Sequence, residues 1–494
     1  MASDTPSSGQ SIAVVPLTVF DRLFERTTFV TGWLVEGMID GDALGSALRR
    51  VTDKWRLLAG RIYSVQDGEN TLWRLKVPLG QLPKNYPTFA LNISVSDVPL
   101  SRHITIPIQS VSTSLPLSVF MNSATPRQYT AWEAANHPLT CWSVVYFPAD
   151  ANNGVAYTAI GFARCHGVFD GIGASMIVNA LISELKGEEW EAPPMPQPGL
   201  NTNPFDVAVK ECVAADQASG NMNHGHVAYT HIGPADFMKM VAWHTREKWW
   251  RGADRRILLV PKLFVQGITE EVRKELSNGR SESESHVTSG DVLVAWIFKT
   301  TYSTCTNTKM NIHCTNIANI RPLLSSKVDL STYVHNAFVP LPYPVLSVEA
   351  VQQLPLSALT NMFAAARASL SSLEVSSAYQ LLQKPCFPNP PNAGETLNVS
   401  NVSASRILEA DWTVIGSKRT MCGYRYQATP TDTLFTNAVY IAGRLADGTV
   451  VLDVSLNKAR LDVLAGEVQR YVARIARMQK YAAPPPTKKL SGKK

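Results

Sequence analysis

Between Asn152 and Gly187 the chain reads as strand, glycine-bearing loop and helix, an order that favours a fold in which sheets carry packed helices. Val155, Tyr157, Ala159, Ile160 and Phe162 make an extended apolar run that ends at Cys165. The loop His166 to Gly173 follows, and then Met176, Ile177, Ala180, Leu181 and Leu185 recur at helical spacing until Gly187 stops them. The same mixture appears elsewhere. A helix is expected after Asp40-Gly41-Asp42, with Leu44, Ala47, Leu48, Val51 and Trp55 on one face. Leu57 to Arg61 opens a strand whose hairpin partner is Leu72 to Val77. A helix begins near Ser289, Ile317 to Ile320 reads as a strand, and a long helix runs from about Ala459 to Met478. The pattern predicts an α/β chain of two packed sheet-and-helix lobes, without internal repeats.

Prolines set the expected boundaries. Pro193, Pro194, Pro196, Pro198 and Pro204 oppose a helix or central strand, so 193–222 is expected to be a surface linker. It divides an N-terminal lobe, 1–192, from a C-terminal lobe, 223–480, and a basic tail, 481–494, is expected to be disordered. Pro385 to Pro391 is expected to form another loop.

Composition excludes several classes. Formal net charge is +6, but four of those charges are lysines in the last seven residues, so the body shows no nucleic-acid signature. No apolar run is long enough to span a bilayer, and the polar start lacks the pattern of a secretory signal. Seven scattered cysteines, with no paired Cys/His spacing, argue against a disulfide framework or a structural zinc site. A cytoplasmic, monomeric protein without a metal is the expectation.

One segment carries chemistry. Arg164-Cys165-His166-Gly167-Val168-Phe169-Asp170-Gly171-Ile172-Gly173 places a histidine at a strand end, near a carboxylate and three glycines. An imidazole titrates near ~6.5 and accepts a proton at neutral pH. Glycines permit tight turns and close ligand approach. The structural alternative makes His166 a turn residue and Asp170 a helix N-cap. His103, His137, His224, His226 and His335 lack such surroundings and are assigned surface or structural roles.

His166-x-x-x-Asp170-Gly171 resembles the HxxxDG motif of the BAHD acyltransferases, a coenzyme A-dependent family. Further blocks resemble that family in its own order. They are Leu17 to Asp21, Trp55 to Arg61, Thr288 to Asp291 before Ala295-Trp296, Asn319 to Pro322 with Tyr333 to Ala337, and Val399 to Asn401 with Glu409 to Trp412. The family's DFGWG block is reduced here to Asp411-Trp412-Thr413-Val414-Ile415-Gly416, which resembles a fungal branch of trichothecene acetyltransferase-like enzymes.

The resemblance implies a two-lobed, chloramphenicol-acetyltransferase-like fold with an active-site tunnel at the lobe interface. His166 is then the general base and Asp170 its orienter, paired with Arg321. Gly171 and Asp411 give structural support. Ser400 or Asn401 is the candidate oxyanion donor, and Lys262, Thr288 and Ser289 are the candidate coenzyme A contacts. The implied reaction moves an acyl group, acetyl by preference, from acyl-CoA to a hydroxyl of a small secondary-metabolite acceptor. The alternatives are an amine acceptor, a condensation or cyclisation catalyst on the same fold, and a non-catalytic binding protein.

Overall fold

The computed structural model describes residues 11–482 apart from 200, 221–228, 232, 278–286, 385, 388, 391 and 433–434. Met1–Gln10, His224, His226, Pro385, Pro388, Pro391 and the tail from 483 onward lie outside the described residues.

Two mixed sheets form the frame. The first has five strands in the order Arg419–Ala428, Thr28–Glu36, Tyr157–Cys165, Thr140–Phe147 and Ala90–Val95, antiparallel except for the last pair. The second has seven: Leu346–Ser347, Asn311–Thr315, Glu395–Asn401, Ala438–Arg444, Val450–Leu456, Asp254–Val260 and Val111–Thr113. Each sheet therefore takes an edge strand from the other half of the chain. Arg419–Ala428 pairs with Thr28–Glu36, and Val111–Thr113 pairs with Asp254–Val260. Strand order in a sheet follows buried faces rather than chain position. The first core accordingly mixes Trp33, Trp142 and Ile160 with Trp412, Tyr424 and Val451.

The hairpin Arg61–Asp67 with Asn70–Pro78 forms with the expected partners. Its first strand starts later than expected, because Arg56–Ala59 is a 3₁₀ turn closed by the Gly60 amide on the Leu57 carbonyl. Helices lie at Gly41–Lys54, capped by Asp40, and at Gly171–Lys186, capped by Asp170 and ended by Gly187 at φ 70°. Left-handed backbone of that kind suits glycine.

Four further expectations need correction. The 193–222 segment holds a helix, Pro204–Ala218, because Asn203 accepts from the Phe205 and Asp206 amides and Pro204 occupies the first turn. That helix buries Phe205, Val209 and Cys212 against Phe20, Tyr333 and Val375, so it is a packed element and not a surface strap. Cys386–Phe387, inside the expected proline loop, pairs with Thr230–His231. Ile320 leaves the strand Ile317–Asn319 to start a short helix at Arg321, and the last helix runs over Lys458–Ala482.

Candidate active site

Residues 164 and 166 project from the same face at the end of Tyr157–Cys165, and that face of the first sheet is turned toward the second. His166 is half-buried. Its ring stacks on Phe24 at 4.0 Å between centroids and meets the edge of Phe29 at 5.0 Å. Nδ1 is buried without a well-formed hydrogen bond. Burial, then the Arg164 charge, pushes the imidazole pKa down to about 3, while the His166 and Phe169 backbone pulls it up. The ring is therefore neutral at physiological pH, the form a proton acceptor needs.

The loop after His166 is fixed at several points. Asp170 Oδ1 accepts from the Gly173 amide at 2.8 Å, capping the helix, and its Oδ2 accepts from Arg321 Nη2 at 2.9 Å. Asp170 thus serves both as N-cap and as ion-pair partner. Arg321 is buried and also donates to the carbonyls of Tyr333 at 2.9 Å and His335 at 2.7 Å, and to Asn319 Oδ1 at 3.1 Å. His335 Nδ1 lies 2.8 Å from the Val168 carbonyl, a buried structural contact. The glycines act through close approach. A methyl on Gly173 would stand 2.1 Å from the Val334 carbonyl oxygen, and one on Gly167 1.8 Å from the Tyr129 hydroxyl. Gly171 faces Val402.

Sequence reasoning gave no role to Asn336 or Asp21, although both stood inside motif blocks. Asn336 Nδ2 donates to the His166 carbonyl at 2.9 Å and to Asp21 Oδ1 at 3.0 Å. Asp21, fully buried, also accepts from the Asn336 amide and from both the amide and hydroxyl of Thr18. Burial pushes its pKa up to about 7 against those four donors. The one signal for this network in the sequence is the capping-box spacing from Thr18 to Asp21.

The other candidates separate. Ser400 pairs in register with Tyr440, whose ring meets Phe29 edge-on at 6.1 Å, so Ser400 sits on the sheet face turned toward the His166 cluster. Asn401 spends its Oδ1 on the Ser403 amide, at 3.1 Å, and hydroxyl, at 2.6 Å. It lines, with Lys262, Thr288, Gly290, Arg406 and Arg444, a cleft of about 970 Å³ at the start of the helix Ser289–Tyr302. The Thr288 hydroxyl is committed to a capping box with Asp291, so only its position faces the cleft. Ser289, in the first turn, is half-buried and is not among the residues that line the cleft. Asp411 caps its own turn on Thr413 and pairs with Lys186 at 3.1 Å, while Trp412 packs on Trp33. A second cavity, of about 430 Å³, lies between the helix Pro234–Trp249 and the strand bearing Ser400, lined by Met240, Trp243, His244, Asn398 and Phe435. Among the described residues no cluster of three or more metal-ligating side chains occurs, and no helix is long and apolar enough to cross a membrane.

Two mixed sheets that exchange edge strands are a fold this chain shares with solved structures of other proteins. The solved structure of F. sporotrichioides TRI101, complexed with coenzyme A and T-2, aligns over 91% of this chain and 96% of its own, with a TM-score of 0.59 and 14% identity. By sequence the chain is similar to the O-acyltransferase pboC of Aspergillus ustus, 24% identical over 66% of this chain and 66% of that protein. It is equally similar to the acetyltransferase adrJ of Penicillium roqueforti, 24% identical over 67% of this chain and 66% of that protein. The matched stretch spans just under two thirds of either relative's length. No protein-family profile matches the chain.

Proposed function

We propose that the protein transfers an acyl group from acyl-CoA to the hydroxyl of a small-molecule acceptor, with His166 as general base. The observation that carries this reading is a neutral, half-buried imidazole on the seam between two sheets, with a separate cavity at each end of the short segment Asn398–Asn401. The similarity to named acyltransferases supports it.

In this reading acyl-CoA occupies the larger cleft. Lys262 and Arg444, which have no ion-pair partner among the described residues, meet its phosphates beside the free amides of the Ser289–Tyr302 N-terminus. The acceptor enters past Trp243 and Asn398. His166 Nε2 takes the hydroxyl proton as the oxygen attacks the thioester carbonyl carbon. Ser400 is the candidate donor to the resulting oxyanion. Collapse breaks the C–S bond, and the imidazolium returns its proton to the departing thiolate. Asp170 and Arg321 hold the loop and do not touch the substrate. We take 1–192 and 223–480 as the two lobes, each lending the other one strand. All seven cysteines are free thiols, which supports a cytoplasmic setting, and one chain supplies every residue named, so a monomer suffices.

The test is release of free coenzyme A from acetyl-CoA, followed with a thiol reagent, alone and with a panel of alcohols and amines. Acceptor-dependent release that His166→Ala abolishes is the expected result. Binding of acetyl-CoA without release for any acceptor would instead favour a binding protein.

A further inference from the structure

Two buried guanidinium groups meet at the seam beside His166, and the carboxylates near them are committed elsewhere. Arg164 is 1% exposed and Arg425 is 3% exposed. They flank Phe29, at 5.2 Å and 4.7 Å from its ring centroid, and the same ring touches His166. Arg164 donates through Nη1 to Thr31 Oγ1 at 3.1 Å, and its Nε is buried without a partner. Arg425 has both Nε and Nη1 buried without a partner. Neither forms an ion pair among the described residues. Asp453, the carboxylate within reach, is held by both its oxygens to Arg255 and receives only the backbone amide of Arg425, at 3.0 Å. Asp170 is committed to Arg321.

A buried guanidinium without a counter-ion is among the most costly groups a fold can hold, and a ring face offsets only part of that cost. An apolar side chain of similar length would pack there at lower cost, so the charges are retained against stability. Gln427 and Tyr440, half-buried and hydrogen-bonded to each other at 3.1 Å, complete a polar wall.

We propose that Arg164 and Arg425 form a carboxylate-binding subsite next to the general base, so that one of the two substrates carries a carboxylate. This rests on the acyltransferase reading for its meaning but not for its existence. In the acyltransferase reading the phosphates of coenzyme A take the separate, open cleft lined by Lys262 and Arg444, so they are not the occupant of this subsite. Planar, bidentate recognition is the reason for arginine here rather than lysine. Occupancy has a second consequence. Burial is the main cause that holds the basicity of His166 down, with the Arg164 and Arg425 charges adding to it, and a bound carboxylate offsets the charge contribution alone.

The carboxylate can belong to the acyl group or to the acceptor, and two arms separate these sources. The first compares malonyl-CoA and succinyl-CoA with acetyl-CoA. The second compares hydroxybenzoic and hydroxycyclohexanecarboxylic acids with their methyl esters, using acetyl-CoA. The wild-type chain is expected to prefer the carboxylated member in one arm by at least about tenfold in kcat/KM. Arg425→Met and Arg164→Met each bring that ratio toward one, and Arg425→Lys restores it only in part. Ligand-free Arg425→Met is expected to melt no lower than wild type, because an unpaired buried charge has been removed. Calorimetric binding of the acids and esters to His166→Ala reads the subsite without turnover. Selective acid binding with no coenzyme A release in any arm retains the subsite and rejects the acyltransferase reading. Release in which neither arm favours the carboxylated member, together with equal binding of acids and esters, overturns the subsite and leaves the acyltransferase reading standing.

Discussion

Replacing Arg321 by alanine tests the frame that holds the candidate base. The side chain is buried and makes four hydrogen bonds: to Asp170 Oδ2, to two carbonyls and to Asn319. Truncation strands the Asp170 carboxylate, which is 3% exposed, and breaking a buried pair from one side costs about 3–5 kcal/mol. The carbonyls of Tyr333 and His335 also lose a donor, at roughly 1–3 kcal/mol each where water cannot replace it. We therefore expect a loss of at least about 3 kcal/mol, read as a lower urea midpoint in tryptophan fluorescence. Asp170→Asn removes the charge but keeps a good helix cap, because asparagine caps as well as aspartate. In that background no carboxylate is stranded, so Arg321→Ala costs less, and the double-mutant cycle should give a coupling of about 1–3 kcal/mol. Because the same bonds position the loop that begins at His166, turnover should fall with stability in the single variant. A wild-type urea midpoint for Arg321→Ala, or a coupling near zero, refutes the brace.

Four further outcomes follow from the site. His166→Ala should unfold at the wild-type midpoint and lose at least about two orders of magnitude in kcat, measured by coenzyme A release. A base with a pKa near 3 is deprotonated and competent throughout pH 5–8, so kcat/KM of the free enzyme should stay flat there. A tenfold loss per unit below pH 6.5 would instead assign an ordinary exposed imidazole. Gly173→Ala sets a methyl against backbone at 2.1 Å and should cost about 1–3 kcal/mol together with activity, visible in thermal melts. Lys262→Ala and Arg444→Ala should raise KM for acyl-CoA more than they lower kcat, with the difference shrinking at high salt.

Asp170 shows how the functional and the structural readings of a motif residue can both hold. The sequence posed helix cap against ion-pair partner, and its two oxygens do both. Thr288 shows the opposite case, since its hydroxyl is fully committed to capping. The linker expected at 193–222 went wrong at Asn203-Pro204, where a cap and a first-turn proline start a helix. Proline density opposes a helix in general, but Asn203 caps this one and Pro204 fits its first turn.

What the sequence determined by itself is local: the strand, loop and helix around His166, the cap at Asp170, the stop at Gly187 and the order of the motif blocks. Those depend on residues a few positions apart, within one turn or one pleat. The exchange of edge strands, the burial of His166 Nδ1, the Asn336 bridge from Asp21 to the His166 carbonyl and the unpaired Arg164 and Arg425 were settled by tertiary structure alone. Each depends on which strand lies beside which across hundreds of residues. That choice is made by the joint burial of two sheets, and no local pattern encodes it.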